Sequence, residues 1–208
     1  MKRSLMRLLT SLVSRVVGVR AFHAWSFLLS EIYTQAVIGK IARAGDNIKF
    51  KYPSQVKGLG FIEIGDNFSA LERLRLDAVS SYNESSYYPR IIIGNNVSFN
   101  QDCHVACISR IVIGDNVLVG SKVFISDHYH GDPKEFSLVP PALRKLYSKG
   151  DIEIGCNVWI GEGVAILSGV KIGENVIIGA NSVVTRDLPS NCVVAGAPAK
   201  ILYTLAEE

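Results

Sequence analysis

The stretch ISDHYHGD, residues 125–132, puts His128 and His130 two positions apart between Asp127 and Asp132, in a chain of 208 residues with four histidines in all. Imidazole titrates nearest neutrality of the common side chains, so a loop histidine is suited to take a proton from a weak nucleophile and give it back. The same residue types also ligate metals, and Cys103, His104 and Cys107 lie upstream. None of these residues has a recognised zinc spacing, so the expectation is a base working without a metal. His104 falls inside a regular stretch and reads as an outward, idle side chain. Asp127 is badly placed to hold the His128 ring unless the chain turns, because adjacent residues of an extended chain point apart. A backbone carbonyl would serve equally well, and the orienting group stays open.

The elements that position these residues are repetitive. Ile154, Ile160, Ile166, Ile172, Ile178 and Val184 are six apart, and Val158, Val164, Val170, Val176, Ser182 and Leu188 each follow four later. On an α-helix such steps scatter around the axis, whereas on an extended chain both are even and all these residues share one face. Glycine commonly follows the aliphatic position, and Asp115-Asn116 or Glu174-Asn175 precede the next inward residue, which marks corners. Upstream the register starts at 44, 50, 56, then 64, 70, 76, then 93, 99, 105, then 113, 119, 125. Steps within a triplet are six; between triplets they are eight, seventeen, eight and twenty-nine. Three strands per circuit predict an all-β prism of triangular section with every insertion at one corner, where solenoids carry their binding surface. About six coils at ~4.8 Å each would stand nearly ~30 Å tall.

Net charge is only +3, but Lys2, Arg3, Arg7, Arg15 and Arg20 all precede the first acid, Glu31. The rest of the chain has 17 basic and 19 acidic residues, which excludes the cationic footprint of a nucleic-acid binder. In this head Leu5, Leu8, Leu9, Leu12, Val13, Val16 and Val17 follow helical spacing. The reading is an N-terminal amphipathic α-helix, charged too often to be a signal peptide or a membrane span. It covers an open end of the prism, or attaches the protein peripherally to an anionic membrane surface, or both. Cys103, Cys107, Cys156 and Cys192 lack a disulfide framework, so a cytoplasmic location is expected, at the inner membrane face if the helix binds lipid.

The IGxxVx hexads, the run NVWIGEGVAILSGVKIGENVIIGANSVVTRDLPSNCVVAGAPAKIL and the histidine loop before it resemble the hexapeptide-repeat acyltransferases. The resemblance is greatest to the galactoside and maltose acetyltransferase branch and to bacterial polysaccharide O-acetyltransferases, over about residues 91–202. It implies a left-handed parallel β-helix, assembled as a homotrimer with active sites between subunits. The division expected is a helical cap at 1–40, a β-helix acyltransferase domain at 41–202 with a loop insertion at 127–151, and a tail at 203–208. It also implies an acetyl-CoA-dependent O-acetyltransferase acting on a sugar or glycan hydroxyl in surface polysaccharide biosynthesis. The other readings are an N-acetyltransferase of an amino sugar, an antibiotic acetyltransferase, and a scaffold without catalysis.

Residue by residue, the resemblance makes His128 the general base, with His130 a substrate contact. It sets the backbone amide of Glu162 against the thioester, Ala180 and Thr185 along the pantetheine arm, and Arg186 and Lys200 toward the phosphates. The outward phase of Trp159 suits a contact with cofactor or neighbouring subunit, and Asn100 matches an acceptor-binding asparagine across a two-residue slip. Arg144, Lys145 and Lys149 in the insertion suit a phosphorylated or nucleotide-linked acceptor.

Overall fold

Short strands form wherever the six-residue register was found. The computed structural model describes residues 6–7, 10–11, 13–14 and 18–205. Three walls of parallel strands run the length of the molecule. The first is built from Arg43–Ala44, Ile62–Ile64, Arg90–Ile93, Arg110–Ile113, Ile152–Ile154 and Lys171–Ile172. The second contains Lys49–Phe50, Ser69–Ala70, Ser98–Phe99, Leu118–Val119, Trp159–Ile160, Val176–Ile178, Cys192–Ala195 and Lys200–Thr204. The third contains Gln55–Lys57, Arg75–Ala78, His104–Cys107, Phe124–Ser126, Ala165–Ile166 and Val183–Val184.

The register stacks the aliphatic positions directly over one another. Ile64, Ile93, Ile113, Ile154 and Ile172 form one column, and Leu76, Val105, Ile125, Ile166 and Val184 another. These side chains are buried. Toward the N-terminal end the column widens into aromatic rings, with Phe50 and Phe68 centred 5.0 Å apart and Phe68 and Phe99 6.0 Å apart.

The corner between the first and second walls is held by a ladder of asparagines. Asn47, Asn67, Asn96, Asn116 and Asn157 all have φ of 55–58°, the left-handed region that asparagine tolerates better than most residues. Each Nδ2 donates to the Oδ1 of the next coil, from Asn47 through to Asn157, at 2.9–3.0 Å. The sequence expectation of turn-forming residues at this position is therefore met with an added function: they also tie coil to coil.

Helix α1, Val19–Ile38, covers the first coil. Its Thr34 hydroxyl accepts from Phe50 N at 3.0 Å, Ser30 Oγ accepts from Tyr52 N at 3.1 Å, and Val37 is buried on the core with Tyr33 and Ile38 packed beside it. Of the apolar stripe read at residues 5–17, Leu5, Leu8, Leu9, Leu12, Val16 and Val17 lie outside the described residues, and Val13 is exposed. At the other end, Lys200–Thr204 reverses and pairs antiparallel with Cys192–Ala195.

The insertions leave and rejoin at the corner between the third and first walls. The seventeen-residue step contains a hairpin of Ser81–Tyr82 and Ser85–Ser86, and the twenty-nine-residue step a hairpin of Tyr129–His130 and Leu146–Tyr147. The two insertions grip each other: Tyr82 Oη and Asn83 Nδ2 donate to the Ala142 carbonyl, and Tyr87 Oη accepts from Leu146 N at 2.8 Å.

Asn116→Ala should lower the unfolding free energy by about 1–3 kcal/mol, because alanine is strained at φ 58° and both ladder bonds are lost. Asn116→Gly should cost less, since glycine keeps the backbone conformation. Urea denaturation measures both; equal losses would mean that the left-handed corner is not what asparagine supplies.

Candidate active site

The repeat breaks at a bend. After the strand Phe124–Ser126 the chain turns at Asp127, and the turn overrides the alternation that would have pointed Asp127 and His128 apart. As a result Asp127 Oδ1 lies 3.0 Å from His128 Nδ1, and the orienting group left open by the sequence is Asp127.

Asp127 is fully buried, and its oxygens are filled. Oδ1 accepts from Ile108 N at 2.9 Å and Oδ2 from Ser109 N at 2.8 Å, with Cys107 Sγ at 3.2 Å from Oδ2. Its own carbonyl accepts from Ser168 Oγ at 2.6 Å, and that hydroxyl accepts from Lys149 N, so the base of the insertion is pinned to the next coil. A carboxylate accepts only, so the His128 nitrogen facing it must carry the proton. Neutral His128 is thus the Nδ1–H tautomer, with Nε2 bare and available as a base. The side chain of His128 is 11% exposed, enough to meet a reactant while mostly shielded from water. Burial and the nearby Asp127 carboxylate raise the Cys107 thiol far above its ordinary range, which leaves it inert as a nucleophile.

His130 does not share this environment. It lies on the hairpin opposite Leu146, with its ring edge-on to Tyr82 at 5.3 Å, so it bridges the two insertions. Arg144 is committed to its own loop, donating from Nε to the Val139 carbonyl at 2.7 Å and from Nη2 to that of Ser137. Lys145 and Lys149 are exposed.

The remaining expected site residues divide between corners. Trp159, 52% exposed, stands on the outside of the second wall between Leu118 and Ile177 in register. Glu162 and Ala180 follow that wall, at its corner with the third, and the glycines beside them leave no room for side chains. A Cβ on Gly120 would meet Glu162 N at 2.7 Å, and one on Gly161 would meet Ala180 N at 2.7 Å. The amides of Glu162 and Ala180 take no acceptor among the described residues, so both are free to donate. The Glu162 side chain turns away to Lys122 Nζ at 3.2 Å, so it does not crowd its own amide. Asn100 follows the second-wall strand Ser98–Phe99 at this same corner. Thr185 and Arg186 sit at the other end of the third wall, the corner of His128, and Lys200 begins the reversed last strand. One chain therefore does not bring Asn100, Glu162 and Ala180 to its own His128.

Residues 151–186 match the bacterial transferase hexapeptide family of six repeats. A protein of Escherichia coli K12 named "Putative lipopolysaccharide biosynthesis O-acetyl transferase WbbJ" is 41% identical over 157 residues, which is 73% of this chain and 76% of that protein. The chain belongs to the hexapeptide-repeat acyltransferases. The galactoside O-acetyltransferase of the same organism is 38% identical over 122 residues, covering 56% of this chain and 55% of that protein. Among solved structures, a galactoside acetyltransferase in complex with coenzyme A superposes with TM-score 0.57 at 30% identity, covering 83% of this chain and 69% of that one. A maltose O-acetyltransferase from Clostridium difficile 630 gives 0.55 at 29% identity over 83% of this chain and 74% of that one. As a hexapeptide-repeat acyltransferase, the protein is a left-handed parallel β-helix.

Long-range proton–nitrogen spectra should show neutral His128 protonated at Nδ1 and bare at Nε2. Asp127→Asn, whose amide can also donate, should let the ring populate the other tautomer. A wild-type ring protonated at Nε2 would contradict the pairing with Asp127.

Proposed function

We propose that this protein is an acetyl-CoA-dependent O-acetyltransferase that moves an acetyl group directly to a sugar hydroxyl, with His128 as general base. The observation that carries this reading is the buried Asp127 carboxylate on His128 Nδ1, which leaves Nε2 bare at the mouth of the insertions. His128 Nε2 takes the hydroxyl proton as the oxygen attacks the thioester carbonyl. Asp127 then faces the imidazolium and stabilises its charge. A free backbone N–H, that of Glu162, donates to the developing oxyanion without reorganisation. The departing thiolate recovers the proton from Nε2, so no net charge is left on the enzyme. The donor fits this chain: the unpaired amide of Glu162 suits the thioester oxygen, that of Ala180 suits a carbonyl of the pantetheine arm, and exposed Arg186 and Lys200 suit the phosphates.

The division of these groups between two corners supports a homotrimer in which one chain's His128 corner meets its neighbour's Asn100, Glu162 and Ala180. Exposed Leu118 and Trp159 on the second wall and Phe124 on the third give such an interface apolar material. We take residues 1–40 as the helical cap, 41–202 as the catalytic domain and 203–208 as a tail. No helix among the described residues is long and apolar enough to cross a membrane. The stretch 22–29 of α1, which follows the basic head in sequence, nevertheless exposes Phe22, Trp25, Phe27, Leu28 and Leu29, which suits peripheral attachment to an anionic bilayer from the cytoplasm. With the relative named for lipopolysaccharide biosynthesis, this points to a surface glycan precursor as acceptor.

His128→Asn should lower acetyl transfer by ~10²–10⁴ in kcat, measured as thiol release from acetyl-CoA with a sugar panel. Turnover equal to wild type removes His128 from the mechanism. Hydroxylamine should release the acetyl group from the product, as an ester requires and an amide does not. Protein lacking residues 1–30 should no longer sediment with anionic vesicles; equal sedimentation ends the attachment idea.

A further inference from the structure

The peptide unit that joins Asp127 to His128 is held at both ends by serine hydroxyls. Its carbonyl accepts from Ser168 Oγ at 2.6 Å, and its N–H, that of His128, donates to Ser126 Oγ at 3.3 Å. A peptide is planar, so fixing its oxygen and its hydrogen sets the rotation of the whole plane. The Cα atoms at the two edges of that plane carry the carboxylate and the imidazole. The angle of the plane therefore decides whether the two side chains meet or part, and along a regular strand they would part. At the observed angle Oδ1 and Nδ1 stand 3.0 Å from each other.

Ser168 comes from the following coil. It lies two residues after Ile166, which is in register with Ile125, so it stands over Asp127 at the inward corner position. Earlier coils fill that position with Ala78 and Cys107, which are in register with each other. A methyl group thus suffices for packing at this corner, and the hydroxyl of Ser168, a residue only 1% exposed, has another task. It accepts from Lys149 N at 2.8 Å, and its single proton goes to the Asp127 carbonyl in preference to that of Gly150 at 3.4 Å. Asp127 opens the insertion and Lys149 closes it, so one buried hydroxyl ties the two feet of the loop to the plane that aims the base. Ser126, 4% exposed, works from the strand itself: besides accepting from His128 N, it donates to the His128 carbonyl at 3.1 Å. The other aspartate–histidine pair of the third wall, Asp77 Oδ2 with His104 Nε2 at 3.1 Å, has no such arrangement. Its members belong to the strands Arg75–Ala78 and His104–Cys107, where the ladder already sets each backbone.

We propose that Ser168 and Ser126 are positioning residues for the base: by clamping the Asp127–His128 peptide they keep the imidazole on its carboxylate with Nε2 turned toward the reactants. The inference rests on the transfer reading above and adds two residues to it, neither of which touches a reacting atom.

The variants are Ser168→Ala, Ser168→Cys and Ser126→Ala, with kcat and KM read by thiol release from acetyl-CoA with the sugar panel and corrected to the folded fraction found by urea denaturation. Ser168→Ala should lower kcat ~10–100-fold, as a displacement of ~1 Å at a reacting group does, while the acetyl-CoA KM stays within twofold because the thioester contacts lie at another corner. Ser126→Ala removes longer bonds and should cost less, and the double variant should lose less than the product of the two because both act on one peptide. Ser168→Cys keeps the volume with a weaker donor and should fall between wild type and Ser168→Ala. Long-range proton–nitrogen spectra of Ser168→Ala should show a second His128 population, protonated at Nε2, which a loss of stability alone would not create. A kcat per folded molecule equal to wild type overturns the proposal, as does a loss carried by the acetyl-CoA KM alone or a His128 tautomer unchanged in Ser168→Ala. Should Ser168→Ala fail to fold, Ser168→Cys gives the same decision by the same readouts. Wild-type protein that acetylates no sugar would overturn the transfer reading; the spectra then still decide the clamp, mixed tautomers in Ser168→Ala supporting it and a single one ending it.

Discussion

The vertical registration of the coils is the constraint that everything else in this molecule obeys. Each strand finds its hydrogen-bond partners only in the coils above and below, so a circuit must return to the same corner with its aliphatic residues over those of the last. A slip of one residue would turn the whole inward column outward. Extra chain is therefore tolerated only where it can leave and come back without disturbing the stack, and the two long insertions use the same corner for that reason. They depart two coils apart, which brings them close enough for Tyr82, Asn83 and Tyr87 to bind the backbone at Ala142 and Leu146. The same corner fixes His128. Its aspartate is filled by amides of Ile108 and Ser109 from the coil before, so the geometry of the candidate base is set by stacking and not by the loop it introduces.

Much of this could be read from the chain because the strand period is short and even. Steps of six and four exclude a helix face without any further information, and the triplet grouping already implied three walls and one insertion corner. Asparagine at the corners was legible because its side chain tolerates the left-handed backbone. Other features depend on contacts that no local pattern encodes. The bend that brings Asp127 round to His128 follows from where the chain exits the stack, and alternation along a strand argued against it. His104 looked idle because nothing nearby in sequence pairs with it; its partner Asp77 comes from the preceding coil, 27 residues earlier. Arg144 looked available as a cation for a substrate, yet two carbonyls of its own loop occupy it. The apolar stripe was read at residues 5–17, whereas the helix on the first coil is Val19–Ile38, where the hydroxyls of Ser30 and Thr34 join Val37 in the contacts and their signal in the sequence is weak.

The two aspartate–histidine pairs differ in the nitrogen that the carboxylate holds. At His128 the carboxylate holds Nδ1, and Nε2 projects from the far end of the ring, where it can reach a reacting atom. At His104 it holds Nε2, and the bare nitrogen lies nearer the backbone. On the proposed reading, the third wall ends in the base, while the thioester contacts belong to the adjacent chain.

The reversal of the final strand has a bearing on the life of the protein in a crowded solution. A column of parallel strands with bare ends is a template for itself, and nothing in its repeat says where to stop. Lys200–Thr204, running antiparallel on Cys192–Ala195, presents the wrong polarity to an incoming coil, and at the opposite end the hydroxyls of Thr34 and Ser30 take up the amides of Phe50 and Tyr52. A sequence this repetitive can then be made in quantity without threading molecules end to end into fibres.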